Sequence, residues 1–296
     1  MGVASIFSSV AFDSHALIEN VYSEANLLCT NKQVLSSDTY LKTAYTGVNI
    51  GGFCATLGGD LRIDSSIFAG TIATASSSAV KKYIGGMVGN IANKTLNDDK
   101  WRTAKLNIET SAYYGTYEGN GVYMGKLAGT QTAGSTVTVN NSIFGGTMKS
   151  TASFTPGSGA HAKASTYFVG RLIGHCSSNF TYNIAKTVAT STYRGGTAVG
   201  NFNELNPANT GSSVSVTVVI ENNLTTPNLG DSISPNWVAQ GTRSGHPVPA
   251  SYITLFGKES LKHSYVTELP LTARDLFEQL GTKIANDGIY TEDSYR

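Results

Sequence analysis

The chain has 296 residues, of which 14% are charged and 40% hydrophobic, with 32 glycines and a formal net charge of +1. So neutral a balance excludes a basic nucleic-acid-binding surface, and the apolar content excludes a disordered tail. No run of 18 apolar residues exists, so no membrane-spanning helix or direct membrane insertion is predicted.

The amino terminus, Met1-Gly-Val-Ala-Ser-Ile-Phe, lacks the basic region of a signal peptide. It leads straight into the first of six copies of a two-part pattern between residues 3 and 226. The first half is an aliphatic residue, small residues and a second apolar residue. It recurs as Val3-Ala-Ser-Ile6, Ile50-Gly-Gly-Phe53, Ile84-Gly-Gly-Met87, Met124-Gly-Lys-Leu127, Val169-Gly-Arg-Leu172 and Val199-Gly-Asn-Phe202. The second half centres on a short polar anchor: Asn20, Ser66, Ser111, Ser142, Ser191 and Asn223. Three residues earlier the alignment places Leu17, Ile63, Ile108, Val139, Val188 and Ile220. Two residues later it places Tyr22, Phe68, Tyr113, Phe144, Tyr193 and Thr225.

Between these landmarks, runs such as Leu61-Arg-Ile-Asp and Val137-Thr-Val-Asn alternate apolar and polar residues, which is the period of a half-buried strand. The longer spacers are rich in Ser, Thr, Asn, Lys and Gly, the chemistry of loops. A repeat of this kind predicts an all-β fold, a parallel β-solenoid (β-helix) of about six rungs. Stacked at about 4.8 Å, those rungs span roughly 29 Å. Aliphatic columns form the core, the glycines suit tight corners, and the anchors bond from rung to rung or to corner backbone. The aromatic column's direction, inward or outward, stays open.

After Thr226 the repeat stops and Pro235, Pro247, Pro249 and Pro270 punctuate an irregular stretch. The predicted division is a repeat domain over 1–226 and a C-terminal cap over 227–296. The cap includes one amphipathic helix at about 271–285, and it is expected to cover the last rung.

The segments Ile84-Gly-Gly-Met-Val-Gly89, Leu17-Ile-Glu-Asn-Val-Tyr-Ser23 and Ile63-Asp-Ser-Ser-Ile-Phe-Ala-Gly70 resemble the GLUG-motif repeats of surface proteins. The resemblance covers about three quarters of the chain and departs from the family pattern at Lys126 and Arg171, which replace the second glycine. It implies a β-solenoid on an exported or cell-surface protein with adhesive or structural work, and it transfers no catalytic residue.

Candidate sites are few. Asp64 and Glu109 share a predicted column, one strand spacing apart, and are the candidates for a bound cation; the competing expectation is a solvated outer face. Asp60, Arg62 and Asp64 crowd one rung without a matching base on the next, which leaves a polysaccharide-cleaving enzyme as the least favoured alternative. The column Tyr22, Phe68, Tyr113, Phe144 and Tyr193 is a platform for sugar stacking if it faces solvent, and core if it does not. Cys29, Cys54 and Cys176 leave at least one thiol unpaired, with Cys29 and Cys54 open as a bridge. Asn93 and Asn179 are candidate glycosylation acceptors in inferred loops.

The expected function is a non-catalytic structural or adhesive protein at the cell surface or outside the cell, with no cofactor. It assembles with itself into a filament or layer through end-to-end or lateral contacts. Two readings of the abrupt start are open: a fragment of a longer exported protein, or a first rung left bare for a partner. A carbohydrate-binding module is the alternative, and a surface glycan or a host protein is the other partner considered.

Overall fold

The computed structural model describes residues 2–29, 47–74, 81–92, 94–95, 101–119, 123–132, 134–150, 163–164, 167–176, 181–190, 193–195, 198–200, 213–219, 224, 229–231, 233–238, 245–252 and 255. Within them the chain is all-β and mostly parallel, in sheets of six, six, five and ten strands with two small antiparallel pairs.

The chain follows one route repeatedly. The second pass lays down Gly47–Gly51, Cys54–Leu57, Asp60–Asp64, Ile67–Phe68 and Thr71–Thr74. Each of these strands pairs in parallel with its counterpart in the pass before and the pass after. Passes over 2–29, 47–74, 81–119 and 123–150 visit all five strand positions in this order. A fifth pass occupies 167–195, and Ser213–Val219 adds one more parallel strand beyond it.

The register explains which residues recur. At the first strand position Val3, Ile50, Ile84, Met124 and Val169 align, and at the third Ile18, Ile63, Ile108, Val139 and Ile184 align. These side chains join one continuous core, which no single pass has enough surface to bury alone. The corner glycines answer to close backbone approach rather than to an unusual φ. A Cβ on Gly85 would lie 1.7 Å from the Val88 carbonyl oxygen, and one on Gly86 would lie 2.1 Å from that of Lys126.

The left-handed corner belongs instead to non-glycine residues. Asn20, Ser65, Thr110, Asn141 and Lys186 all have φ between 45° and 56°, one in each pass, where short polar side chains tolerate the conformation best. In the second to fifth passes the residue after that corner carries the polar anchor. Ser66, Ser111 and Ser142 each donate a 2.7 Å hydrogen bond to the carbonyl two residues back, and Thr187 does the same at 2.8 Å. Each serine hydroxyl also accepts an N–H from the preceding pass: Val21 onto Ser66 at 3.1 Å, Ser66 onto Ser111 at 3.0 Å and Ser111 onto Ser142 at 3.3 Å. The anchors therefore close their own corner and tie neighbouring passes together.

Three copies of the expected alignment need correction. In the first, Ile18 and not Leu17 pairs with Ile63, and Tyr22 pairs with Ile67. Leu17 is 56% exposed while Ile18 is 2% exposed, the inversion that a one-residue slip produces in a strand. In the fifth, Thr187 and not Ser191 pairs with Ser142, and Ala189 faces Phe144. In the sixth, Val216 and not Asn223 pairs with Thr187. Val199 of the sixth small-residue motif pairs antiparallel with Arg194 instead of stacking on Val169.

The described residues after Leu224 run along the flank of the sheets. Trp237 donates Nε1–H to the Asn141 carbonyl at 3.0 Å, and Tyr114 donates to the Pro247 carbonyl at 2.7 Å. Tyr252 donates to the Val21 carbonyl at 2.6 Å, so the tail returns to the first pass. Its apolar residues Leu229, Ile233, Trp237, Val248 and Tyr252 cover Ile67, Ala112, Ile143 and Val188, forming a second core. The fourth strand position is thus buried on both faces, which is why two apolar residues follow each anchor. A cap resting only on the last pass does not account for these bonds. The expected helix at 271–285 lies outside the described residues.

Candidate functional site

The fourth strand position sends Phe68, Tyr113 and Phe144 inward, where all three are fully buried. Phe68 and Tyr113 stack with centroids 6.2 Å apart and planes 2° apart, and Phe53 meets Phe68 edge-on at 5.9 Å. Tyr22 and Tyr193 do not belong to this column: Tyr22 aligns with Ile67, and Tyr193 aligns with Met148. The rings that do stack present no face to solvent, so they offer no platform to a sugar. Burial holds the Tyr113 phenol well above its usual range, and its hydroxyl has no hydrogen-bond partner.

The ring positions are linked to the glycine corners. A Cβ on Gly52 would lie 2.7 Å from the Phe68 ring, and one on Gly86 would lie 2.7 Å from the Tyr113 ring. In the fifth pass the ring is replaced by Ala189, and the corner glycine is replaced by Lys126 in the fourth pass and by Arg171 in the fifth, both buried. Lys126 donates to the Thr190 carbonyl at 3.0 Å and also to Thr190 Oγ1. Lys126, one of the two departures from the glycine pattern, is therefore built into the core with hydrogen bonds.

Asp64 and Glu109 are neighbours in register, as expected, and Glu19 precedes them in the same column. Each is occupied by its own surroundings. Asp64 accepts from Arg62 at 2.6 Å and from Ser65 at 3.1 Å. Glu109 accepts from Asn140 at 3.1 and 3.2 Å, from Asn141 at 2.8 Å and from Thr110 at 3.3 Å. Asp60 faces His15 Nδ1 at 3.3 Å. Asp64, chiefly through its hydrogen bond, raises the Arg62 guanidinium further above its usual range, so Arg62 stays a fixed cation. Among the described residues no group of three His, Cys, Asp or Glu could hold a metal ion.

Cys29, Cys54 and Cys176 are buried thiols outside any disulfide, so the open Cys29–Cys54 bridge is not formed. Burial pushes the Cys54 thiol up to about 12, and it raises Cys29 against the opposing pull of the nearby Lys82. Neutral thiols of this kind pack as small apolar groups and react poorly. Burial likewise lowers His175 and His246, whose rings lie 4.9 Å from Tyr123 and 4.7 Å from Tyr114. The glycosylation candidates Asn93 and Asn179 lie outside the described residues. No helix of the described residues is long and apolar enough to cross a membrane.

What remains distinctive is the first pass. Its five strands, Gly2–Val3, Phe7–Val10, His15–Glu19, Tyr22–Ser23 and Asn26–Cys29, are the terminal members of every sheet they enter. Among the described residues no strand pairs with their outer edges. Ile6, Leu17 and Leu28 are exposed there at 39%, 56% and 66%, and Val3, Phe7, Ala16 and Val21 are only half-buried against the core. An uncovered row of strand edges with apolar side chains is a template for another chain. The slip in the first copy hid this surface from the sequence, because it placed Leu17 in the core column. No family model, curated protein or solved structure matches the chain.

Proposed function

We propose that the repeated passes are the rungs of a β-solenoid of about six rungs, akin to GLUG-repeat proteins, and that the protein is a non-catalytic structural or adhesive element outside the cell. In this reading it assembles with itself through the ends of the stack. The observation that carries the proposal is the first pass, whose strands all lie at sheet edges and whose Ile6, Leu17 and Leu28 face solvent. A filament-forming module needs such an edge, since each added copy then supplies the neighbour that the terminal pass lacks. Charged and polar groups on the outer faces serve solubility along the sides.

Sedimentation velocity and negative-stain microscopy of the purified chain, over a hundredfold concentration range, test this reading. It predicts elongated particles that lengthen with concentration. Monodisperse monomers at the highest concentration would overturn it.

A further inference from the structure

We infer that Gln131 and Ser135 are the two halves of an internal ester, formed when the Ser135 hydroxyl displaces ammonia from the Gln131 carboxamide. The bond staples the end of Ala128–Gln131, the second strand of the fourth pass, to the start of Thr136–Asn140, the third. No second copy of the chain takes part.

Three columns lose their apolar character at one place. Gln131 stacks between Ile91 and Cys176, in a column whose earlier members are Val10, Leu57 and Ile91. Tyr182 follows Leu61, Leu106 and Val137. Ser135 precedes Thr136 as Ala104 precedes Lys105 and Gly59 precedes Asp60 in the aligned strands. Gln131, Ser135 and Tyr182 are 0%, 1% and 1% exposed. Burying one such group is costly unless it is bonded. Three from separate columns that converge on one another are the kind of local departure found at functional sites.

The contacts place a nucleophile, an amide and a proton donor together. Gln131 Nε2 donates to Ser135 Oγ and to the Thr132 carbonyl, while Gln131 Oε1 accepts the Tyr182 O–H at 2.9 Å. Ser135 Oγ donates to the Thr132 carbonyl at 3.2 Å. Tyr182 therefore holds a donor on the oxygen where negative charge develops during attack. Burial keeps its phenol well above the usual range, so it remains protonated. The last torsion of a glutamine is soft, and a turn of the carboxamide moves Ser135 Oγ from beside the nitrogen to the carbonyl carbon.

The step balances without an oxidant or a reductant. The bond from Ser135 Oγ to Gln131 Cδ forms, the Cδ–Nε2 bond breaks, and the hydroxyl proton goes to the departing nitrogen, which leaves as ammonia. Confinement of both groups in one place supplies the orientation that two free molecules lack. Enclosure keeps water from the ester once it is made. The Cys176 sulfur, 3.3 Å from the Tyr182 oxygen, is the competing nucleophile, but the amide nitrogen bonds to Ser135.

Mass spectrometry of the purified full chain is the test. Residues 127–148 contain no Lys or Arg, so trypsin leaves Gln131 and Ser135 in one peptide, 127–149. That peptide is expected to be lighter than its sequence by one ammonia and to give no fragments from breaks between 131 and 135. Hydroxylamine should open it and leave a hydroxamate at Gln131. Ser135→Ala, which restores the residue type of Ala104, is expected to return the peptide to full mass, whereas ammonia lost by cyclisation at Asn140 or Asn141 would persist. Tyr182→Phe should slow ammonia loss from freshly made chains about a hundredfold, with an unchanged far-ultraviolet spectrum. A full-mass peptide from the folded parent, ammonia loss that survives Ser135→Ala, or a link from Gln131 to Cys176 would each overturn the ester.

Discussion

Replacing Ser111 by Ala tests whether the anchor ladder holds the passes together. The Ser111 hydroxyl is the acceptor for the Ser66 N–H at 3.0 Å and donates to the Glu109 carbonyl at 2.7 Å. Ser66 and Ser111 are both fully buried, so alanine leaves the Ser66 N–H without a partner and without water. The Glu109 carbonyl keeps the Ser65 N–H at 3.0 Å and adds little to the loss. An orphaned buried donor costs about 1–3 kcal/mol, so the variant should lose about 2 kcal/mol in urea unfolding of dilute protein, followed by circular dichroism and Trp237 emission. Ser111→Thr should recover more than half of that loss, because threonine restores a hydroxyl acceptor and Thr187 already makes the donating corner bond in the fifth pass. Thr138→Ala, on the outer face of the same sheet, should stay within about 0.5 kcal/mol of the parent. A Ser111→Ala protein as stable as Thr138→Ala would refute the ladder as a source of stability.

Three further outcomes follow from the same physics. Tyr113→Phe removes a buried hydroxyl that has no partner, in a column whose neighbours are already Phe68 and Phe144. It should raise stability by about 1 kcal/mol in the same urea assay, and a loss would mean the hydroxyl is bonded in solution. Tyr114→Phe with Tyr252→Phe deletes the bonds to Pro247 and Val21. This should loosen the returning tail, seen as red-shifted Trp237 emission and roughly tenfold faster cleavage in 224–255 by a dilute protease, with the parallel strands still intact. Cys54 has a folded-state pKa of about 12 against an ordinary 9.0, so the unfolded chain loses its proton first. The stability this contributes is complete below pH 9 and is lost as pH rises towards 12, at up to about 1.4 kcal/mol per pH unit for the single site. Cys54→Ala should flatten that decline, and thiol reagents at pH 8 should modify Cys54 only on unfolding.

The strand route was legible where the repeat is strong and misread where it is weak. In the second, third and fourth passes, Ser-Ile-Phe, Ser-Ala-Tyr and Ser-Ile-Phe fix anchor and ring together, and the register follows. In the first pass, Leu17-Ile-Glu-Asn-Val offers two adjacent aliphatic residues. Asn20 imitates an anchor while it occupies the left-handed corner with φ 56°. Shifting by one residue turned an exposed leucine into an expected core residue. In the fifth pass the ring is Ala189 and the corner is Lys186, so Thr190-Ser-Thr-Tyr193 made a better imitation of the motif than the true segment. The paired carboxylates Asp64 and Glu109 were placed in register by the alternation, but their engagement by Arg62, Asn140 and Asn141 depends on corner geometry that no spacing reveals. The returning tail left only one trace, the second apolar residue after each anchor. That trace became meaningful once Trp237 and Tyr252 were found covering it.

The most direct measurement of the central claim is the axial repeat of the assembled protein, by electron cryo-microscopy of its filaments. A stack of about six rungs joined head to tail predicts a meridional reflection near 4.8 Å together with a subunit repeat of roughly 29 Å. Particles that never exceed a monomer, or fibrils showing the strand spacing without the longer repeat, would contradict it.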